Sequence, residues 1–244
     1  MIPALAVALA AGIVMGMFGS GGSILVVPLL VDLAGLDPRT ATTASLVVVG
    51  LTSVIAAIQH ARSGGIRLKI AGAFAAAGIP GAFVGSFASA RLQPATLMIL
   101  FAIAMISMSL IMMRQRQFDA AREPSVTKIL TVAFGIGILT GTIGVGGGML
   151  IVPSLIVFAG VTMKNASGTS LVIIAINCLS GLVQRLPTST VPWKITMGFA
   201  AVSVAGTFAG HAIANHMSVH GLRRSFAVFV LSLGLLELAI NLPV

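Results

Sequence analysis

Two glycine clusters carry the clearest chemical potential in this sequence, Gly19-Ser20-Gly21-Gly22-Ser23 and Gly144-Val145-Gly146-Gly147-Gly148. A glycine-rich turn that opens a helix points several backbone N–H groups in one direction. With the positive end of the helix dipole, those groups make an anion site. Each cluster precedes a short apolar stretch that contains Pro28 or Pro153. The plainer alternative is that the glycines only let helices approach closely. Two breaks at matching positions are more than packing needs. The first cluster lacks the Lys-Ser/Thr ending of a P-loop, and the second resembles a dinucleotide fingerprint only loosely. No alternation of strand and helix surrounds either one.

Hydroxyls gather a short distance further on. Arg39-Thr40-Ala41-Thr42-Thr43-Ala44-Ser45 and Lys164-Asn165-Ala166-Ser167-Gly168-Thr169-Ser170 each set a cation and several hydroxyls at the start of an apolar segment. Hydroxyl and N–H groups can replace the hydration shell of an oxyanion without a permanent countercharge. Capping by Thr or Ser is the alternative, but it accounts for one hydroxyl per helix rather than three. The candidate substrate-binding set is therefore Gly19, Ser20, Gly21, Gly22, Ser23, Thr42, Thr43, Ser45, Gly144, Gly146, Gly147, Gly148, Ser167, Thr169 and Ser170, with Ser45 and Ser170 foremost.

Other polar residues stand singly. Gln59 and Gln184 end matching segments, where they line a pathway or face the headgroups. Asp32 and Glu237 are acids inside apolar segments, and acids in such places are functional candidates by default. Asp32 is the candidate for a coupling proton, although Val157 occupies the matching place and solvation at the interface is the alternative. Asn177 reads as a bond to a neighbouring helix, and the lone His211 as a packing residue. Cys178 has no partner for a disulfide. There is no His-Glu-x-x-His, no Gly-x-Ser-x-Gly and no pair of Cys or His spaced for a metal. The reading is not an enzyme, with no metal and no cofactor.

The elements that must position these residues are membrane helices. The chain has 244 residues, 57% hydrophobic and only 8% charged, against about 25% charged in a soluble domain. The runs 41–59, 70–90 and 97–113 contain no charged residue and approach or reach the roughly 20 residues that span a bilayer. The net charge of +9 resides in basic residues between apolar runs, as in cytoplasmic loops. With no Tyr and one Trp, a base-stacking surface for nucleic acid is not expected. The N-terminus lacks a charged n-region and does not read as a cleaved signal peptide.

The sequence also aligns on itself at an offset of 125 residues without a gap. Gly12, Gly16, Gly19, Gly21, Gly22 and Pro28 fall on Gly137, Gly141, Gly144, Gly146, Gly147 and Pro153. Ser45 falls on Ser170, Gln59 on Gln184, Lys69 on Lys194, and Gly81 and Gly85 on Gly206 and Gly210. Roughly a quarter of aligned positions are identical, which marks an internal repeat. The expected fold is an all-α polytopic membrane protein of two homologous four-segment repeats, residues 1–113 and 128–244, joined by a polar loop at 114–127. Each first segment is broken by its glycine cluster, and such breaks in corresponding positions point to a transporter site. If the broken segment crosses once, the repeats are parallel and Lys+Arg divide 9 to 5 between the faces. If it is a re-entrant hairpin, the repeats are inverted and the division is 10 to 4. The positive-inside rule barely separates these. The length of the broken segment favours the hairpin and inversion.

The paired glycine turns followed by Pro28 and Pro153, then Ala41…Ser45-Leu46 and Ala166…Ser170-Leu171, resemble the TauE/SafE sulfite exporter family over nearly the whole chain. The resemblance implies a bacterial-type inner-membrane, multi-pass permease for sulfur-containing or related organic anions, driven by an ion gradient. Ser20 against Val145, and Ser23 against Gly148, make the two turns unequal. The leading expectation is a secondary transporter that exports a small oxyanion such as sulfite or an organosulfonate. The alternatives are an anion channel and a membrane-embedded enzyme or assembly subunit. The expected partners are the small anion and the lipid bilayer, not nucleic acid, with a homodimer left open.

Overall fold

The computed structural model describes residues 2–20, 22–89, 94–114, 125–143, 148–185 and 191–241. All regular structure among them is helical: α1 (Ile2–Phe18), α2 (Ser23–Pro28) running into a π-helical turn (Leu29–Leu33), α3 (Pro38–Arg62), α4 (Leu68–Ser89), α5 (Pro94–Arg114), α6 (Val126–Ile143), α7 (Gly148–Val157), α8 (Met163–Arg185), α9 (Trp193–His216) and α10 (Val219–Asn241). Among the described residues, five stretches are long and apolar enough to cross a membrane: Arg39–Arg62, Leu68–Phe87, Thr96–Arg114, Met163–Arg185 and Trp193–His216. Large apolar side chains such as Phe83, Phe87, Leu179, Val183 and Phe208 are exposed on them. A lipid environment accommodates such a surface, because hydrocarbon tails are as apolar as the side chains.

Glycine decides which helices meet. A Cβ added to Gly12 or Gly16 of α1 would strike the backbone of Ser203 or Thr207 on α9, and one added to Gly206 or Gly210 would strike that of Leu9 or Ile13. The same contact is built between α4 and α6, where Gly81 lies against Phe134, Gly137 against Gly78 and Gly141 against Ala82. These are the close approaches of backbones that small residues permit in membranes, as the spacing of Gly81 and Gly85, and of Gly206 and Gly210, leads one to expect. In both pairs later residues of one helix meet later residues of the other, so α1 runs parallel to α9, and α4 to α6. Ser203 adds a hydrogen bond from its Oγ to the Ala8 carbonyl, 3.1 Å.

The pairs α3 with α8 and α5 with α10 cross the other way. Gly181 of α8 meets Leu46 of α3, Gly50 meets Cys178, and Gly168 meets His60. Rising numbers on one helix meet falling numbers on the other, so α3 and α8 are antiparallel. Between α5 and α10, Gly234 lies against Ala102 and Met105, while Ser109 Oγ donates to the Ala227 carbonyl at 2.6 Å. That pair is antiparallel too.

The first broken segment folds as a helical hairpin. After Phe18 the chain turns at Gly19, whose φ is 84°, and Gly22 returns against Ala11 and Met15 of α1. The returning arms of the two halves end alike. Leu36 N–H donates to the Leu30 carbonyl and Val161 N–H to the Leu155 carbonyl, both at 3.1 Å, around Gly35 (φ 67°) and Gly160 (φ 64°). α7 is apolar on every side and buried from Gly148 to Ile156, as a helix of that composition must be. It forms the centre of the bundle, between α5 and α8.

Candidate functional site

The two broken segments meet inside the bundle. Gly19 lies against the Ser167 carbonyl and the Ser170 Oγ of α8. Gly148, which opens α7, lies so near the first turn that an added Cβ would stand 2.8 Å from Ser23 Oγ and 3.3 Å from the Ser20 carbonyl oxygen. The first turn is held by Gly19 N–H donating to the Met15 carbonyl (2.8 Å) and by Ser23 Oγ donating to the Ser20 carbonyl (2.9 Å). Ser20 itself is fully buried, and its Oγ has no hydrogen-bond partner among the described residues. A buried hydroxyl without a partner is costly and calls for an explanation. Gly21, Gly144, Gly146 and Gly147 lie outside the described residues.

The structure assigns the neighbouring hydroxyls more closely. The N-cap of α3 is Asp37, whose carboxylate accepts from the N–H groups of Arg39 (3.0 Å) and Thr40 (3.3 Å). Thr42, Thr43 and Ser45 therefore do not cap this helix. Thr43 Oγ1 donates back to the Arg39 carbonyl (3.1 Å) and Ser45 Oγ to the Thr42 carbonyl (2.7 Å). On α8, Ser167 Oγ donates to the Met163 carbonyl (3.0 Å) and Ser170 Oγ to the Ser167 carbonyl (2.8 Å). Such back-bonds satisfy the hydroxyls within their own helices, and a hydroxyl hydrogen can rotate towards a ligand. Thr169 serves differently. Its Oγ1 accepts the Arg67 N–H at 3.0 Å and ties the α3–α4 loop to α8. The π-helical turn contains the Asp32 backbone, while the Asp32 side chain lies outside what is described.

Gln59 and Gln184 occupy matching places with opposite surroundings. Gln184 and Arg185 line a cavity of about 220 Å³, together with Thr42, Ser86, Asn177 and Ser180. Gln59 instead donates from Nε2 to Thr207 Oγ1 at 3.1 Å. Beside it is a residue that sequence reasoning missed. His60 is buried, with Nε2 3.2 Å from the Gly16 carbonyl and its ring 4.6 Å from that of His211, edge to face. His211 is thus not alone. The only signal in the sequence was the offset, which places His60 on Arg185 and His211 on Ser86.

Spanning helices, two broken segments that meet within the bundle, and polar groups buried there define a polytopic membrane transporter. The chain belongs to the sulfite exporter TauE/SafE family, whose family model matches residues 4–236. It is 32% identical over 233 residues to a probable membrane transporter protein of Xylella fastidiosa, covering 92% of this chain and 89% of the relative. It is 27% identical to the probable membrane transporter protein YdhB of Bacillus subtilis, over 84% of this chain and 87% of the relative. A probable membrane transporter protein of Methanocaldococcus jannaschii is 27% identical, over 80% and 75% of the two chains. No solved structure matches the chain. Family and relatives identify a multi-pass transporter of the inner, or plasma, membrane rather than an enzyme.

Proposed function

We propose that this transporter is a secondary carrier that exports a small sulfur-containing or organic oxyanion, of the sulfite or organosulfonate class, bound where the first glycine turn meets α7 and α8. The observation that carries this reading is the Ser20 hydroxyl, buried and without a partner at that meeting point. Ser167 and Ser170 supply further hydroxyls beside Gly19. α7, ten residues long, begins there at Gly148. α2 has six residues, too few to add much dipole, so α7 brings the stronger positive helix end.

The same proposal takes residues 1–113 and 128–244 as inverted repeats. Antiparallel α3 and α8, and antiparallel α5 and α10, support it. A hairpin in each half gives it an odd number of crossings. Arg62, Arg67, Lys69, Arg114, Lys128, Lys164, Arg223 and Arg224 then share one face, while Arg39, Arg185 and Lys194 take the other. The richer face is cytoplasmic by the positive-inside rule, and the cavity at Arg185 opens to the opposite side.

Counterflow tests the function. Vesicles containing the purified protein and loaded with unlabelled sulfite should take up labelled sulfite beyond equilibrium. Labelled organosulfonates extend the assay across the class. Flux that only follows the anion's own gradient would identify a channel and remove the carrier reading.

Ser20→Ala separates binding from folding. A hydrogen bond to a charged group contributes about 1.5–3 kcal/mol, so anion affinity should fall roughly 10- to 100-fold. Thermal stability should hold or rise, because the removed hydroxyl has no hydrogen-bond partner among the described residues. Ser170→Ala should lose affinity in the same assay with its expression retained. A parallel loss of stability and affinity in both variants would assign these hydroxyls to packing.

A further inference from the structure

The 125-residue offset maps the lining of the cavity at Arg185 onto a filled cluster in the other half. Gln184, Arg185, Ala82, Ser86 and Gly141 line open space. Their counterparts are Gln59, His60, Thr207, His211 and Gly16, which touch one another through the Gln59–Thr207 bond, the His60–Gly16 bond and the edge-to-face imidazoles. One half holds this passage open and the other holds it shut. We propose that His60 and His211 are the proton-coupling groups of the carrier, closing the pathway on the Lys164 face while both imidazoles are neutral and opening it when one is protonated. The proposal rests on the carrier reading above.

Geometry shows where the proton would go. A carbonyl only accepts, so the His60 Nε2 facing Gly16 carries hydrogen, and its Nδ1 is the basic nitrogen. His211 Nε2 is 3.4 Å from Ser63 Oγ, and its buried Nδ1 has no partner among the described residues. The neighbouring Gln59 Oε1 is likewise buried and without a partner. The closed cluster thus leaves polar atoms unsatisfied, as a state that must open again would. At this end of the helices packed around the pair, α8 carries Lys164, α3 Arg62, the loop that follows Arg67, and α9 His216, while Arg39, Arg185 and Lys194 stand at the opposite ends of α3, α8 and α9. α1, α3, α8 and α9 carry no carboxylate between their first and last residues. A proton gained by the pair meets only like charge there, so the charged form is driven towards water. Opening provides that water. His is also the side chain whose charge changes most readily between about pH 5 and 8.

The test has two readouts. Spin labels on Ala61→Cys and Ala212→Cys, both exposed positions in a Cys178→Ser background, report the separation of α3 and α9 across the pair without any substrate. Their distance should lengthen by several ångströms between about pH 8 and about pH 5, and His211→Gln should abolish the change. In vesicles, sulfite entry should carry protons with it in the wild type and in Asp32→Asn. His211→Gln, whose Lys164 face no longer opens on protonation, should lose counterflow and proton movement together. A pH-independent distance in the wild type, or proton-coupled flux that survives His211→Gln, would overturn the proposal. A distance that responds to pH in a protein without counterflow would overturn the carrier reading and leave the imidazole switch standing.

Discussion

Gly19→Ala should cut transport at least tenfold while Gly35→Ala leaves it nearly intact. Both glycines have left-handed backbones, with φ 84° and 67°. An L-residue in that conformation costs roughly 1–2 kcal/mol. Their surroundings differ. A Cβ at Gly35 meets nothing within 4 Å, whereas one at Gly19 would press on the Ser167 backbone and stand 2.6 Å from Ser170 Oγ. Only the second change displaces the turn from α8 and moves Ser20. Each 1.4 kcal/mol is a factor of ten, so strain and displacement together exceed that threshold at Gly19. Initial rates in vesicles, normalised to inserted protein, measure the effect. Equal loss in both variants would mean that backbone strain alone matters and that contact with α8 does not shape the site.

The largest effect on folding is expected from Gly12→Val. The three atoms nearest its Cβ all belong to the Ser203 backbone, which cannot rotate aside. α1 and α9 would have to separate, losing the Ser203–Ala8 hydrogen bond and the neighbouring approaches at Gly16, Gly206 and Gly210. Overpacking in cores costs about 1–3 kcal/mol even where side chains can yield. A backbone obstacle should exceed this, against a total stability of about 5–15 kcal/mol. Most of the protein should then fail to emerge from detergent extraction as a single species. Gly72→Ala has the opposite sign. Its Cβ meets nothing within 4 Å, and replacing a mid-helix glycine by alanine gains roughly 0.5–1 kcal/mol. Similar extraction yields for the two variants would contradict the glycine crossing.

What could be read from the sequence is what glycine and apolar length encode. The spans follow from charge-free runs, and the break after Phe18 follows from Gly19, which ends α1 there. Gly12, Gly16 and Gly81 align with Gly137, Gly141 and Gly206, and at each of these places an added Cβ would strike the facing backbone. Helix boundaries moved by a few residues, since α3 begins at Pro38 under the Asp37 cap rather than at Ala41. The roles of single polar residues were harder to read. The Ser and Thr pattern does not distinguish Thr169, which holds a loop, from Ser20, which bonds nothing described. His60 was illegible as a partner of His211 because their contact requires α1, α3 and α9 to converge. Its counterpart Arg185 is a different residue type, so the repeat did not mark it.

The glycine crossings also set an order of events during synthesis. α4 and α6 meet through residues about 55–60 apart in the chain, whereas α1 and α9 meet through residues about 190 apart. At roughly 5–20 residues per second, α6 follows α4 within about 3–12 s, but α1 waits about 10–40 s for α9. Throughout that interval its grooved face at Gly12 and Gly16 has only lipid, or the insertion machinery, to lie against. A chain cut between residues 115 and 124 makes the same point, because the first piece carries α1 and α4 but neither of their partners. The two pieces should therefore survive quality control only when made in the same cell, each completing a helix pair the other began.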